Sequence, residues 1–205
     1  MFYDILDKKR LEVLPLLGEF KEGFYLAGGT ALALQLGHRD SVDFDFFTDK
    51  NIDTNKLFKK VKKVFKGRTI KKIQEEKNTL TVIIDDNIKI SFFTYNYPLL
   101  EVFVIEKHLK LASILDISCM KLSAIISRST LKDYVDLYFV LQELKLTQLL
   151  EGVVRKFSSI DYNLILKSLV YFDDIIDEPI IFKNNKSVSK GELEDFFEKI
   201  VLENR

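Results

Sequence analysis

The chain has 205 residues with 31 basic and 31 acidic side chains, a formal net charge of zero, and 47% hydrophobic content. That length supports one good core or a compact domain with a helical annex; the composition is that of a soluble folded chain and gives no general support for nucleic-acid binding. No apolar run nears the ~20 residues of a membrane helix, the N-terminus does not read as a signal peptide, and a single cysteine, Cys119, excludes a disulfide framework and a Cys-rich zinc site, so a cytoplasmic protein without membrane partners is expected.

Apolar spacing predicts an amphipathic helix over residues 4–20. A strand at Phe24–Ala27 follows, then a Gly28-Gly29 turn and a helix from Thr30 that stops at Gly37. The next strand, Val42–Phe47, alternates: Asp43 and Asp45 face one side, Val42, Phe44 and Phe46 the other. Asn55 to about Lys66 reads as a lysine-rich helix with an apolar stripe. It is either a solvated amphipathic helix or a local basic surface that steers a phosphate-bearing partner. Lys71–Gln74, Thr79–Ile84 and Lys89–Phe93 read as strands, with Asp85-Asp86-Asn87 as a hairpin turn between the last two. Beyond Tyr97-Pro98 the pattern becomes helical: Asp116 can cap one helix, others fit 131–143, 147–157 and 162–170, and Ser189-Lys-Gly-Glu192 matches a capping box that opens a last one. The expected architecture is α+β, a mixed sheet with flanking helices over 1–110 and a helical domain over 111–205 that contributes Lys and Asp residues to the site.

Glycines let a backbone approach phosphate, and the free amides of a helix start favour an anion. Alone, a Gly-Gly pair is more often a tight turn. Here Gly28-Gly29-Thr30 precedes an Asp-x-Asp strand, and paired carboxylates suit divalent metal in phosphoryl chemistry. The bland alternative is an exposed sheet face with solvated aspartates. Arg39 could bind phosphate or pair with an aspartate; Ser41 lies on the side of Asp43 and Asp45; His38 is given no role. Lys121 interrupts an apolar helix, with Arg128 on nearly the same face, and Asp133 and Asp136 share one side of the next helix. They either grip a triphosphate and orient the lysine, or form a Lys132–Asp136 pair and buried salt bridges between helices.

Four segments together resemble the AbiEii/AbiGii toxin family of nucleotidyltransferases, within the polymerase-beta-like superfamily. They are Leu26-Ala-Gly-Gly-Thr-Ala-Leu, His38-Arg39-x-Ser41-x-Asp43-x-Asp45-Phe-Phe, Ile117-Ser-Cys-Met-Lys121-Leu-x-Ala-Ile and Arg128-x-x-x-Lys132-Asp133-x-x-Asp136-Leu. The resemblance implies a nucleotidyltransferase-fold mixed sheet joined to a helical region. It also implies Mg²⁺ (with Mn²⁺ as an alternative) held by Asp43 and Asp45, and NTP contacted by Gly28, Gly29, Thr30, Arg39, Ser41 and Lys121. Asp133 or Asp136 would complete the catalytic set with Asp43, Asp45 and Lys121.

The expected activity is transfer of a nucleotide from NTP to an acceptor, RNA such as tRNA, by a toxin with a cognate antitoxin. One departure stands out: superfamily enzymes carry a third carboxylate on a neighbouring strand, where this chain has Ser91, a poor base. The alternative reading is therefore a nucleotide-binding regulatory or partner-binding protein with a degenerate site.

Overall fold

A computed structural model describes residues 1–204. Short 3₁₀ turns at Tyr3–Ile5 and Gly18–Phe20 bracket α1 (Lys8–Leu17), so the single helix expected over 4–20 is three pieces. Asp7 caps α1 by accepting from the Arg10 amide, which fixes its start at Lys8. Next come β1 (Tyr25–Ala27), α2 (Gly28–Leu36), β2 (Phe44–Thr48), α3 (Thr54–Val64), β3 (Ile70–Glu76), β4 (Thr79–Ile84) and β5 (Ile88–Thr94). Two short strands, β6 (Val104–Ile105) and β7 (Lys110–Leu111), had no periodic signal. The helices α4 (Ile114–Ser127), α5 (Leu131–Val140), α6 (Leu146–Lys156), α7 (Tyr162–Leu169) and α8 (Lys190–Leu202) complete the described chain.

The seven strands form one mixed sheet in the order β3-β4-β5-β2-β1-β7-β6. β2 pairs antiparallel with β1 and parallel with β5, with Asp45 opposite Ser91 and Phe46 opposite Phe92. Asp85 and Asp86 take positive φ in the β4–β5 turn, as the hairpin reading requires. Phe44, Phe46 and Phe92 are buried on one face, where Phe20 lies 5.0 Å from Phe92 and Lys60 of α3 sits over the Phe20 ring. A fully buried ring of this size contributes about 1.5–3 kcal/mol, so this aromatic layer fixes which residues of β2 and β5 face the opposite side: Asp45, Phe47, Ser91 and Phe93.

Behind the sheet, α2 is the central helix. Ala31, Leu32, Ala33 and Leu34 are all fully buried, the pattern of a helix apolar all round. Gly37 ends it in the left-handed conformation (φ 65°), and a Cβ there would come within 2.5 Å of the Phe2 ring. α4 packs against α2, α5, α6 and α7, burying Ile117, Leu122 and Ile125. Its cap is Ser113, not Asp116. The Ser113 hydroxyl accepts from the Asp116 amide, and Asp116 instead pairs with the buried Lys156 amine at 2.6 Å. The capping box at Ser189 opens α8 as expected.

Candidate active site

The site starts where β1 runs into α2. Gly28 has φ +73°, and a Cβ added to it would lie 3.1 Å from Asp45 Oδ2. A Cβ on Gly29 would lie 2.8 Å from Arg39 Nη2 and 3.3 Å from Ser41 Oγ. Both glycines therefore make room for site side chains. The residue before the helix, Ala27, supplies no side-chain cap, which leaves the first amides of α2 without a side-chain acceptor at the mouth of the site. The Thr30 hydroxyl is buried; it is 2.8 Å from Ser41 Oγ and donates to the Asp43 carbonyl, tying the helix to the segment that carries the aspartates.

β2 starts at Phe44, so Asp43 immediately precedes the strand. Val42, expected to face inward with Phe44 and Phe46, is instead 48% exposed, and its carbonyl accepts from Arg10 Nε at 2.6 Å. Asp43 pairs with Lys89 of β5 at 3.2 Å. Burial raises the Asp45 pKa and the nearby Asp43 charge adds to the rise, partly offset by Lys89, by a hydrogen bond with Ser91 and by Lys121. Two carboxylates that repel in a half-buried site are a favourable place for a cation.

A second layer of charge lies beneath. Asp136 is fully buried and accepts from Arg39 through Nε (2.7 Å) and Nη2 (2.9 Å), with His38 Nε2 2.7 Å and Lys121 Nζ 2.6 Å away. Burial alone would raise its pKa, but Arg39, Lys121 and His38 outweigh that and hold it well below the usual carboxylate range. Lys121 also reaches Asp133 at 2.7 Å, and the two aspartates keep its amine charged against the penalty of burial. Asp133 accepts from Thr130 at 2.8 Å, and Arg128 stands 3.5 Å from it. Lys132 pairs with Glu178, not with Asp136. Asp136 therefore braces Arg39 and Lys121 from beneath the clefts, while Asp133, at the wall of the smaller cleft, holds Lys121. His38, given no role from sequence, belongs to this brace.

Two adjoining clefts meet at these residues and share Gly29, Asp45, Lys121 and Arg128. The smaller, about 410 Å³, is lined by Arg39, Ser41, Asp43 and Lys132. The larger, about 660 Å³, runs from Gly28 and Lys89 past Ser91 to an aromatic end made by Phe47, Phe93, Tyr95, Tyr97 and Phe157. All ten residues assigned to the site from sequence thus gather around one region: nine line the two clefts, and Asp136 holds Arg39 and Lys121 in place from beneath. Sequence reading missed Lys89, although it precedes Ser91 by two on one strand and so shares its face. It also missed the aromatic end, which is assembled from three separated segments.

Among the described residues no group of three or more His, Cys, Asp or Glu side chains is arranged to hold a metal. Asp43 and Asp45 supply two carboxylates beside the side-chain-uncapped start of α2. That donor set fits Mg²⁺, which keeps waters and takes one or two carboxylates plus substrate phosphate oxygens.

A mixed sheet carrying paired aspartates beside a glycine-started helix, backed by a helical region, is the nucleotidyltransferase fold. The chain belongs to the AbiEii family: residues 16–203 match the family described as "Nucleotidyl transferase AbiEii toxin, Type IV TA system". It is 39% identical over 204 residues to the protein aq_aa25 of Aquifex aeolicus (strain VF5), covering 96% of this chain and 94% of that one. Among solved structures it is similar to the nucleotidyltransferase toxin MenT4 of Mycobacterium tuberculosis H37Rv (TM-score 0.66, 16% identity, 98% of this chain and 83% of that one). It is also similar to JHP933 of Helicobacter pylori (TM-score 0.57, 19% identity, 97% and 94%). At those identities the likeness is one of fold. No helix among the described residues is long and apolar enough to cross a membrane.

Proposed function

We propose that this protein transfers a nucleotidyl group from an NTP to an RNA acceptor such as tRNA, with Mg²⁺, as the toxin of a pair with a cognate antitoxin. The observation that carries the reading is the presence of Asp43 and Asp45 beside the side-chain-uncapped start of α2, with Lys121 and Arg128 lining the same clefts. In this reading the acceptor hydroxyl oxygen attacks the α-phosphorus in line, the bond to the bridging oxygen breaks, and pyrophosphate leaves. The first amides of α2, Lys121 and Arg128 receive the phosphate charge. Bound Mg²⁺ would polarise the phosphoryl oxygens and neutralise developing charge. Ser91 occupies the strand position beside Asp45 and is no base at neutral pH, and Asp133 and Asp136 are buried in ion pairs. The hydroxyl proton therefore passes to a phosphate oxygen of the substrate, directly or through a water.

The test is incubation of the protein and Mg²⁺ with each α-³²P-labelled NTP and total tRNA, beside Asp43→Ala and Asp45→Ala. Label is expected in RNA with the wild type alone; full transfer by either folded variant sinks the assignment. Ser91 favours one second reading, a nucleotide binder that transfers nothing. Calorimetric NTP binding without pyrophosphate release across acceptors would select it.

A further inference from the structure

Beside the larger cleft lies a third opening of about 620 Å³ that the transfer reading does not use. Tyr95 and Tyr97 line both openings, so they form a ridge between them. The rings continue on either side. Tyr97 meets Phe157 at 4.8 Å on the catalytic side, while Tyr25 meets Phe103 at 5.2 Å on the far side. Tyr25 and Tyr95 both pack on Phe47, so one aromatic chain runs from one opening into the other.

The charges in the far opening balance: Lys50 and Lys110 line it with Glu22, Asp49 and Asn96, and Lys110 Nζ lies over one face of the Phe103 ring at 4.8 Å. A cleft with aromatic walls, no net charge and several hydrogen-bonding groups suits a neutral planar ligand better than a phosphate. A nucleobase has that chemistry: faces for stacking, and an edge with donors for carboxylates and partners for an amide.

The ridge is also held in place. Lys156 donates to the Pro98 carbonyl at 2.7 Å and pairs with Asp116, whose carboxylate accepts from the Leu100 and Glu101 amides at 3.0 and 3.2 Å. The side chains of Lys156 and Asp116 are fully buried and reach neither catalytic aspartate nor the start of α2. Their structural effect is to pin the segment that follows Tyr97. Tyr97 remains 47% exposed on that fixed support, a surface ready for stacking rather than a packed core residue.

We propose that this opening receives an unpaired base of the acceptor RNA, stacked beside Phe103 and the Tyr95–Tyr97 ridge, while the donor nucleotide occupies the catalytic cleft. The inference rests on the nucleotidyl-transfer reading for the donor's position. It adds that the acceptor is a single-stranded RNA end held by base stacking.

The test uses the full chain and a short single-stranded RNA with 2-aminopurine near its 3′ end. Binding to the wild type is expected to quench the fluorophore. Phe103→Ala is expected to weaken binding by roughly tenfold, as the loss of one stacking partner does, and to restore fluorescence, while Phe103→Tyr retains both effects. Binding and quenching insensitive to Phe103→Ala, or no binding of the oligonucleotide at all, overturns the proposal. NTP binding is followed separately by calorimetry on the wild type. Its absence alongside Phe103-dependent RNA binding faults the reading of the catalytic cleft and leaves the acceptor opening standing.

Discussion

Asp136 receives Arg39, Lys121 and His38 without access to solvent, so its carboxylate sets the position of two cations that line the clefts. Removing one partner of a buried ionic group strands the others in low dielectric, which costs about 3–5 kcal/mol. Asp136→Ala is expected to lose about that much stability in urea titration and to weaken NTP binding. Ser91→Ala is expected to do far less. It deletes one hydrogen bond to Asp45, a loss of about 1 kcal/mol, and should leave transfer measurable if a phosphate oxygen of the substrate takes the hydroxyl proton. Abolished transfer with intact nucleotide binding would assign Ser91 a direct part in the reaction. The aspartates themselves were readable because acidic residues alternate with phenylalanine from Asp43 to Phe46. Their supports were not, since Arg39 and Asp136 are 97 residues apart and nothing local announces the pairing.

The β1–α2 junction concentrates the demands of one element on two residues without side chains. Gly28→Ala forces an L-residue to φ +73°, worth roughly 1–2 kcal/mol of strain, and pushes a methyl group against Asp45 Oδ2. Transfer is expected to fall much further than the melting temperature does, which parallel activity and thermal-denaturation measurements check. At α4 and α6, Lys156→Met leaves the buried Asp116 charge unpaired. Amide exchange at Leu100 and Glu101, which donate to that carboxylate, is expected to quicken more than exchange in the β4–β5 hairpin. Elements with strong local chemistry were legible: the Asp85-Asp86-Asn87 hairpin and the Ser189 capping box stand where expected. Ser113 and Asp116 are both good cap residues three apart, and the choice between them was made by Lys156, 40 residues further on. β6 and β7 have two residues each, too short for any period to show.

For the molecule as a whole, acid exposes what the buried charges contribute. Burial lowers the His38 pKa from 6.5 despite the Asp136 hydrogen bond, so the ring is neutral in the fold; with Nε2 donating to Asp136, Nδ1 has no partner. The unfolded chain binds that proton first. Stability is therefore fully present above about pH 6.5 and declines as pH falls below it. Asp136, also lowered from its ordinary value, adds a further loss once pH drops below about 3.8. Urea midpoints between pH 7 and 5 are expected to fall for the wild type and to stay flatter for His38→Gln, which keeps a donor but cannot titrate.

The segment at 181–186 lies against the end of α2 and the start of the site. The Ile181 carbonyl accepts from the Asp40 amide, Lys183 donates to His38, and the side chains of Asn184 and Lys186 cap the carbonyls of Gly37 and Leu36. Chains are made from the N-terminus and fold as they emerge. The glycine turn and both aspartates thus leave the ribosome more than 130 residues before Ile181, the first part of the segment that clasps Arg39 and its neighbours. A growing chain can hold every catalytic side chain proposed here yet lack the clasp, so the site closes only once residues 181–186 have emerged. For a protein of a toxin family, that order places assembly of the site well after the synthesis of its catalytic side chains.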